Sequence, residues 1–146
     1  MRLSTKGRYA VMAMADLARR QDAAERAVAL ADIAARQEIS LSYLEQLFAR
    51  LRRKGLVQSA RGPGGGYRLA RTAEATTIAE IVHAVDEPTR VTRCSSPAKG
   101  CMLKGERCLT HDLWEEMGRH LESYLASVSL ADVVGGRLGA TQAEVA

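Results

Sequence analysis

Apolar residues recur at helical spacing along most of this chain, and the breaks in that spacing divide it into elements. Tyr9, Met12, Ala13 and Leu17 fall on one face between Thr5 and Arg20 and predict a helix there. Ser4 or Thr5 can cap it, and Arg19 and Arg20 suit its negative C-terminal end. After a polar connector over 21–27, Leu30, Ile33 and Ala34 predict a short helix over about 30–37. Glu38, Ile39 and Ser40 form a tight turn, and a third helix follows over about 41–54, burying Leu44, Leu47, Phe48 and Leu51. Two short β-type runs, 56–60 and 67–70, flank a loop of four glycines and a proline between Arg61 and Gly66. A helix over 78–85, capped at Thr76-Thr77, turns Ile78, Ile81, Val82 and Val85 inward and stops at Asp86-Glu87-Pro88. The longest pattern runs over 109–128, where Leu113, Met117, Leu121, Leu125 and Val128 form a stripe that Trp114, His120 and Tyr124 broaden. A short helical turn at 130–134 follows, and 135–146 reads as a flexible tail.

A short helix, a three-residue turn and a longer helix with basic residues at its end make a helix-turn-helix pattern. A basic, glycine-rich hairpin directly after it is a wing. A phosphate-cradling loop is excluded there, because no Lys-Ser/Thr follows and the loop leads into a strand instead of a helix. The predicted class is therefore mainly α: a winged helix-turn-helix domain with a two-stranded β wing, plus a long C-terminal dimerisation helix. The expected divisions are a DNA-binding domain over 1–90 (helix-turn-helix about 29–54, wing 56–70), a cysteine-rich loop over 91–108, dimerisation helices over 109–134 and the tail. A stripe as wide as that over 109–128 needs a second surface, and a second copy of the chain is the simplest one.

Charge supports a polyanionic partner. Residues 1–71 carry 14 Lys+Arg against 6 Asp+Glu (net +8) and residues 72–146 carry 7 against 11 (net −4), which together give the overall +4. Arg2, Lys6, Arg8, Arg52, Arg53 and Lys54 are expected on phosphates, and Arg68, at the edge of the wing loop, is expected on DNA as well. Ser42, Tyr43, Glu45 and Gln46 are placed to read base edges, and Arg61, on the slim loop that includes Gly64, to probe the minor groove. Glu45 has two readings of equal standing. It can close a capping box with Ser42, or it can veto sequences that would set an acceptor-rich edge or a phosphate against its carboxylate. The N-terminus lacks the apolar core and cleavage site of a signal peptide, and no stretch nears the ~20 apolar residues that cross a bilayer. A soluble protein of the reducing cytoplasm, without membrane contact, is expected.

All three cysteines lie in one segment, Cys94, Cys101 and Cys108, with six residues between neighbours and His111 two residues beyond the last. The segment is rich in Ser, Gly, Lys and Arg, with Met102 and Leu103 as its apolar candidates, so burial cannot offset its ordering entropy. A metal centre can. Thiolates and an imidazole suit zinc or an iron–sulfur cluster, and the wide, equal gaps count against a zinc finger without choosing the cluster. No nucleophile–base–orienter set is present, and the remaining histidines, His83 and His120, read as structural residues on helical faces, so an enzyme is not expected.

The segments MRLSTKGRYAV, SLSYLEQLFARLRRKGLV, RGPGGGYRLA and CLTHDLW closely resemble the IscR family of bacterial winged-helix regulators, over roughly residues 1–134. The resemblance implies a homodimer made by the long helix from Leu109 to Val128. It also implies a 2Fe–2S cluster held by Cys94, Cys101, Cys108 and His111 and supplied by the iron–sulfur assembly machinery. The implied function is a cluster-sensing repressor of cluster-assembly genes that also acts on other promoters, as repressor or activator, through two-fold symmetric operators in double-stranded DNA. Both gaps between cysteines are one residue longer than in the usual IscR pattern. Relatives that sense nitric oxide or iron also vary here and hold larger clusters, so the cluster type stays open, as does a zinc- or thiol-based regulator. The Leu-Thr-His after Cys108 favours the IscR type.

Overall fold

The computed structural model describes residues 4–21, 26–85, 100 and 102–139. Six helices and one hairpin follow in the order α1 (Thr5–Arg20), α2 (Leu30–Gln37), α3 (Leu41–Arg53), β1 (Val57–Ala60), β2 (Gly66–Leu69), α4 (Ile78–Ala84), α5 (His111–Ser127) and α6 (Leu130–Gly135). The fold is thus mainly helical with a two-stranded antiparallel sheet, as the spacing predicts. One apolar core holds it together. Met14 and Leu17 of α1, Ile33 of α2, Leu44, Leu47, Phe48 and Leu51 of α3, and Ile81 and Val82 of α4 all enter it. Leu125, Val128 and Leu130 join the same core, so the end of α5 and the start of α6 are built into the body formed by the N-terminal helices.

The turn between α2 and α3 is fixed by local chemistry. Ile39 N–H donates to the Ala34 carbonyl over 3.0 Å while Glu38 adopts the left-handed conformation (φ 55°), which is the arrangement of a Schellman C-cap. Ile39 is buried beside the core, and so is Leu44, four residues past the Ser40 N-cap, as in a hydrophobic staple. Glu38 is the one non-glycine residue at positive φ among those described.

A buried carboxylate clamps α1 to α2. Asp16 accepts from Arg36 Nη2 at 2.7 Å, from Arg36 Nε at 3.1 and 3.2 Å, and from Gln37 Nε2 at 2.8 Å. Burial opposes ionisation of this carboxyl, but the bonds from Arg36 and Gln37, with the charges of Arg36 and Arg20, outweigh it and hold its pKa below the ordinary value. In the sequence Asp16 stands out only as a break in an apolar run.

The wing pairs Val57 with Leu69 through to Ala60 with Gly66. It is tied down at its base: Val28 and Tyr67 exchange two backbone hydrogen bonds of 2.8 Å, and Leu69 N–H donates to Gln21 Oε1 at 2.8 Å. Tyr67 also meets Phe48 of α3 edge-on, ring centroids 5.0 Å apart. Gly66 passes so close to the Val28 carbonyl that any Cβ would collide with it.

Two predictions follow from these contacts. Because the folded pKa of Asp16 is depressed, its contribution is present above the unfolded carboxylate pKa of ~3.9 and is lost as pH falls through the lower folded value. Asp16→Asn should therefore cost about 1–3 kcal/mol near pH 7, with the gap to wild type narrowing below pH 4 in melts recorded across that range. Glu38→Gly removes the left-handed strain of an L-residue and should raise stability by up to about 1 kcal/mol in denaturant titrations; a loss would show that the turn geometry is set otherwise.

Candidate nucleic-acid interface and metal centre

Helix α3 starts at Ser40, whose hydroxyl accepts from Tyr43 N–H at 3.4 Å. A capping box between Ser42 and Glu45, one of the two readings open to Glu45, is not formed. Ser42 lies inside the helix with its hydroxyl 3.0 Å from that of Ser40, and Glu45 has no hydrogen bond or ion pair among the described residues. The reason is one of register: Leu41 opens the helix, so position N3 is Tyr43 and offers no carboxylate to reach back. Glu45 is left as an exposed carboxylate on the outer face of α3.

That outer face carries Ser42, Glu45, Gln46, Ala49, Arg52 and Arg53, all exposed, with Lys54 just beyond. Their spacing of three, one, three, three and one keeps them on one side of the helix. Tyr43 differs from the others. Its ring is half-buried and meets Tyr9 of α1 edge-on at 6.0 Å, so it also joins α3 to α1. Arg61 and Gly64 are exposed in the wing loop, where Gly62 (φ 96°) and Gly64 (φ 75°) hold conformations that an L side chain resists. Arg68 is exposed on β2 and donates across the wing to Gln58 Oε1 at 3.2 Å. Arg8 is exposed and Lys6 half-buried on the first turns of α1. Arg2 lies outside the described residues.

Of the four sulfur and imidazole positions, Cys94 and Cys101 lie outside the described residues, while Cys108 and His111 stand together at the start of α5. His111 N–H donates to the Cys108 carbonyl at 3.1 Å. Cys108 is half-buried and His111 buried, with 6% of its surface exposed. His111 Nε2 lies 3.7 Å from Glu115 Oε2, one turn along. Thr110 Oγ1 accepts from Trp114 Nε1 at 3.1 Å and lies 3.7 Å from Cys108 Sγ. A soft sulfur and an imidazole held three residues apart fit the donor set of an iron–sulfur or zinc centre. Residues 102–107 are all exposed, Met102 at 51% and Leu103 at 109%, so burial does not hold this part of the segment. Sequence reasoning missed Thr110, Trp114 and Glu115 as neighbours of these positions, although one helical turn of spacing was the available signal.

The other end of α5 is anchored. Ile78 N–H donates to the Val128 carbonyl at 2.9 Å and Leu130 N–H to the Thr76 carbonyl at 2.8 Å, a backbone bridge between Thr77 and Ser129. Each of those two residues also caps a helix through a complete capping box, Thr77 with Glu80 and Ser129 with Asp132. Both carboxylates are held below their ordinary pKa, first by backbone N–H donation from their own N-cap residues. Between the two ends, Leu113, Met117 and Tyr124 are exposed at 59%, 41% and 50%.

A profile described as Rrf2, iron-dependent transcriptional regulator, matches residues 3–136. The chain belongs to the Rrf2 family. It is 54% identical over 134 residues to the HTH-type transcriptional regulator IscR of Xenorhabdus nematophila, covering 92% of this chain and 79% of that protein. The structure of T. potens IscR superposes with a TM-score of 0.75 at 36% identity, covering 96% of this chain and 90% of that one. CymR, the global cysteine regulator of B. subtilis, gives a TM-score of 0.77 at 32% identity over 92% and 97% of the two chains. The chain is accordingly an IscR-type, DNA-binding transcriptional regulator of winged-helix fold; its named relatives are regulators and not enzymes. No described helix is long and apolar enough to cross a membrane.

With Ser40 as the cap, the two roles open to Glu45 separate. Ser40→Ala should cost about 0.5–2 kcal/mol of stability, whereas Glu45→Ala should leave the melting temperature near wild type. Selection from a randomised operator pool should show Glu45→Ala binding a wider set of sequences; an unchanged set would remove Glu45 from the reading residues.

Proposed function

We propose that this regulator senses iron–sulfur supply, binding a 2Fe–2S cluster through Cys94, Cys101, Cys108 and His111 and adjusting its operator choice to the state of that site. The observation that carries the reading is the joining of Cys108 and His111, at one end of α5, to a helix whose other end is part of the winged-helix core. When bound, the cluster supplies a charged, redox-active crosslink that orders the segment before α5. Cys108 and His111 contribute from the helix start, His111 being the neutral member of the set. The assembly machinery is the expected donor, and the reducing cytoplasm the expected setting.

On DNA, Arg2, Lys6, Arg8, Arg52, Arg53, Lys54 and Arg68 position a homodimer on phosphates. Ser42, Tyr43, Glu45 and Gln46 face base edges, and the thin backbone around Gly64 lets Arg61 enter the minor groove. The exposed apolar side chains of α5, Leu113, Met117 and Tyr124, supply the dimer contact. The two copies then match a two-fold symmetric operator with half-sites about one turn (~34 Å) or slightly more apart. The protein represses cluster-assembly genes when the cluster is bound, and cluster-independent action at other promoters, including activation, belongs to the same reading.

Anaerobic purification tests it. A brown protein with iron and acid-labile sulfide in equal amounts, two of each per chain, is expected. The Cys94/Cys101/Cys108 triple Ala variant should remain a folded dimer with altered operator preference. Colourless protein with one zinc per chain would replace this reading with a zinc-based regulator, and a higher iron content with a larger-cluster sensor of the same family. A triple variant with wild-type affinity and preference at every operator would show that the segment is not the sensor.

A further inference from the structure

We infer that Thr110 tunes the metal centre: its hydroxyl donates to the Cys108 sulfur while accepting from the Trp114 indole, and this chain of bonds sets how readily the centre takes up an electron. The inference rests on the reading of Cys108 as a cluster ligand. Thr110 Oγ1 lies 3.1 Å from Trp114 Nε1 and 3.7 Å from Cys108 Sγ, the second within the reach of a hydrogen bond to sulfur. An indole N–H can only donate, so Oγ1 is the acceptor in the first contact. A metal-bound thiolate carries no proton and can only accept, so the single hydroxyl proton of Thr110 is the donor in the second.

The position of Thr110 adds an independent observation. It is the N-cap residue of α5, where a threonine hydroxyl ordinarily accepts from the first N–H groups of the helix, and here it makes no such bond. The hydroxyl meets the indole and the sulfur instead. A hydroxyl whose oxygen already accepts a bond is polarised into a better donor. Hydrogen bonds donated to cluster sulfurs stabilise the more negative, reduced state and so raise the reduction potential. Thr110 acts through Cys108 and is a positioning residue, with Trp114 behind it. Trp114 is also the one tryptophan of the chain, so its emission reports on the same contact.

The test uses the full chain, reconstituted anaerobically, with Thr110→Val, Thr110→Ser, Trp114→Phe and Cys108→Ala. Midpoint potentials are read by dye-equilibrated titration at one pH, and the tryptophan emission is read on metal-free protein. Thr110→Val, which keeps the volume and loses the hydroxyl, should hold the cluster at a lower potential. Trp114→Phe should lower it by a smaller step, and Thr110→Ser should restore the wild-type value. In metal-free protein the emission maximum should shift in Thr110→Val and not in Thr110→Ser. A wild-type potential in Thr110→Val would overturn the inference while leaving Cys108 as a ligand. Should Thr110→Val fail to fold, Trp114→Phe decides, because it leaves the N-cap residue in place: a wild-type potential there overturns the relay. Cys108→Ala separates the two levels of the argument. If that variant still assembles the wild-type cluster, Cys108 is not a ligand and the reading beneath the inference falls with it.

Discussion

The backbone bridge between Thr77 and Ser129 makes one body of what the sequence divides into a reading domain and a sensing arm. Two hydrogen bonds, of 2.9 and 2.8 Å, pass between the strand-like segments before α4 and after α5. Each is worth only about 0.5–1.5 kcal/mol net, but their placement matters more than their sum. Both bridge residues are also N-caps, so α4 and α6 start from the same point, with the N–H groups of Thr77 and Glu80, and of Ser129 and Asp132, satisfied reciprocally within each capping box. Leu125, Val128 and Leu130 then carry the end of α5 into the core beside Ile81 and Val82.

Fixing one end of α5 determines what its other end can do. The helix has 17 residues and so spans about 25 Å. Leu125 of its last turn enters the core, its outer face presents Leu113, Met117 and Tyr124, and its first residue is the buried His111. Side-chain contact between α4 and α5 includes His83 with Glu122 at 3.1 Å, both exposed enough that the pair adds little. The apolar end and the backbone bridge therefore set the angle of the helix. On the proposed reading, a change in what Cys108 and His111 hold would act at the far end of a stiff rod, where a small tilt becomes a large displacement.

Much of this was legible in the sequence because helical spacing reports burial directly. The buried stripe of α3 follows from the positions of Leu44, Leu47, Phe48 and Leu51, and the bounds of α1 from its apolar face with Ser4 or Thr5 at its start and Arg19 and Arg20 at its end. What the sequence could not show was which of several competent partners a polar group would take. Ser42-x-x-Glu45 has the pattern of a capping box, but the helix opens at Leu41 and Ser40, two residues earlier, is its N-cap, with Ile39 and Leu44 buried on either side. Asp16 looked like an interruption of an apolar face, since its partners Arg36 and Gln37 are twenty and twenty-one residues away. Thr110 stands at the N-cap position of α5, yet its hydroxyl is bonded to Trp114 and set beside Cys108. For Asp16 the choice was made by long-range geometry that no local pattern carries; for Ser40 and Thr110 the partners are local, and the residue at which the helix starts decides which of them a hydroxyl meets.

The distribution of stability along α5 fits the task proposed for it. A sensor must change order without unfolding the body that carries it, so its responsive part belongs where few contacts would be lost. The described residues 102–107 meet that condition: all are exposed, and their internal hydrogen bonds include a tight turn, Gly105 N–H to the Met102 carbonyl and Met102 N–H to the Glu106 carbonyl, each 3.0 Å. The body meets the opposite condition, with the Asp16 clamp, two capping boxes and an unbroken apolar core. Between them stands the Cys108–His111 step, half inside and half outside. A metal bound there would supply what burial does not, and its loss would cost the segment its order and leave α3 and the wing intact to read DNA. On the proposed reading, that asymmetry would give one chain two DNA-competent states in place of one folded and one unfolded state.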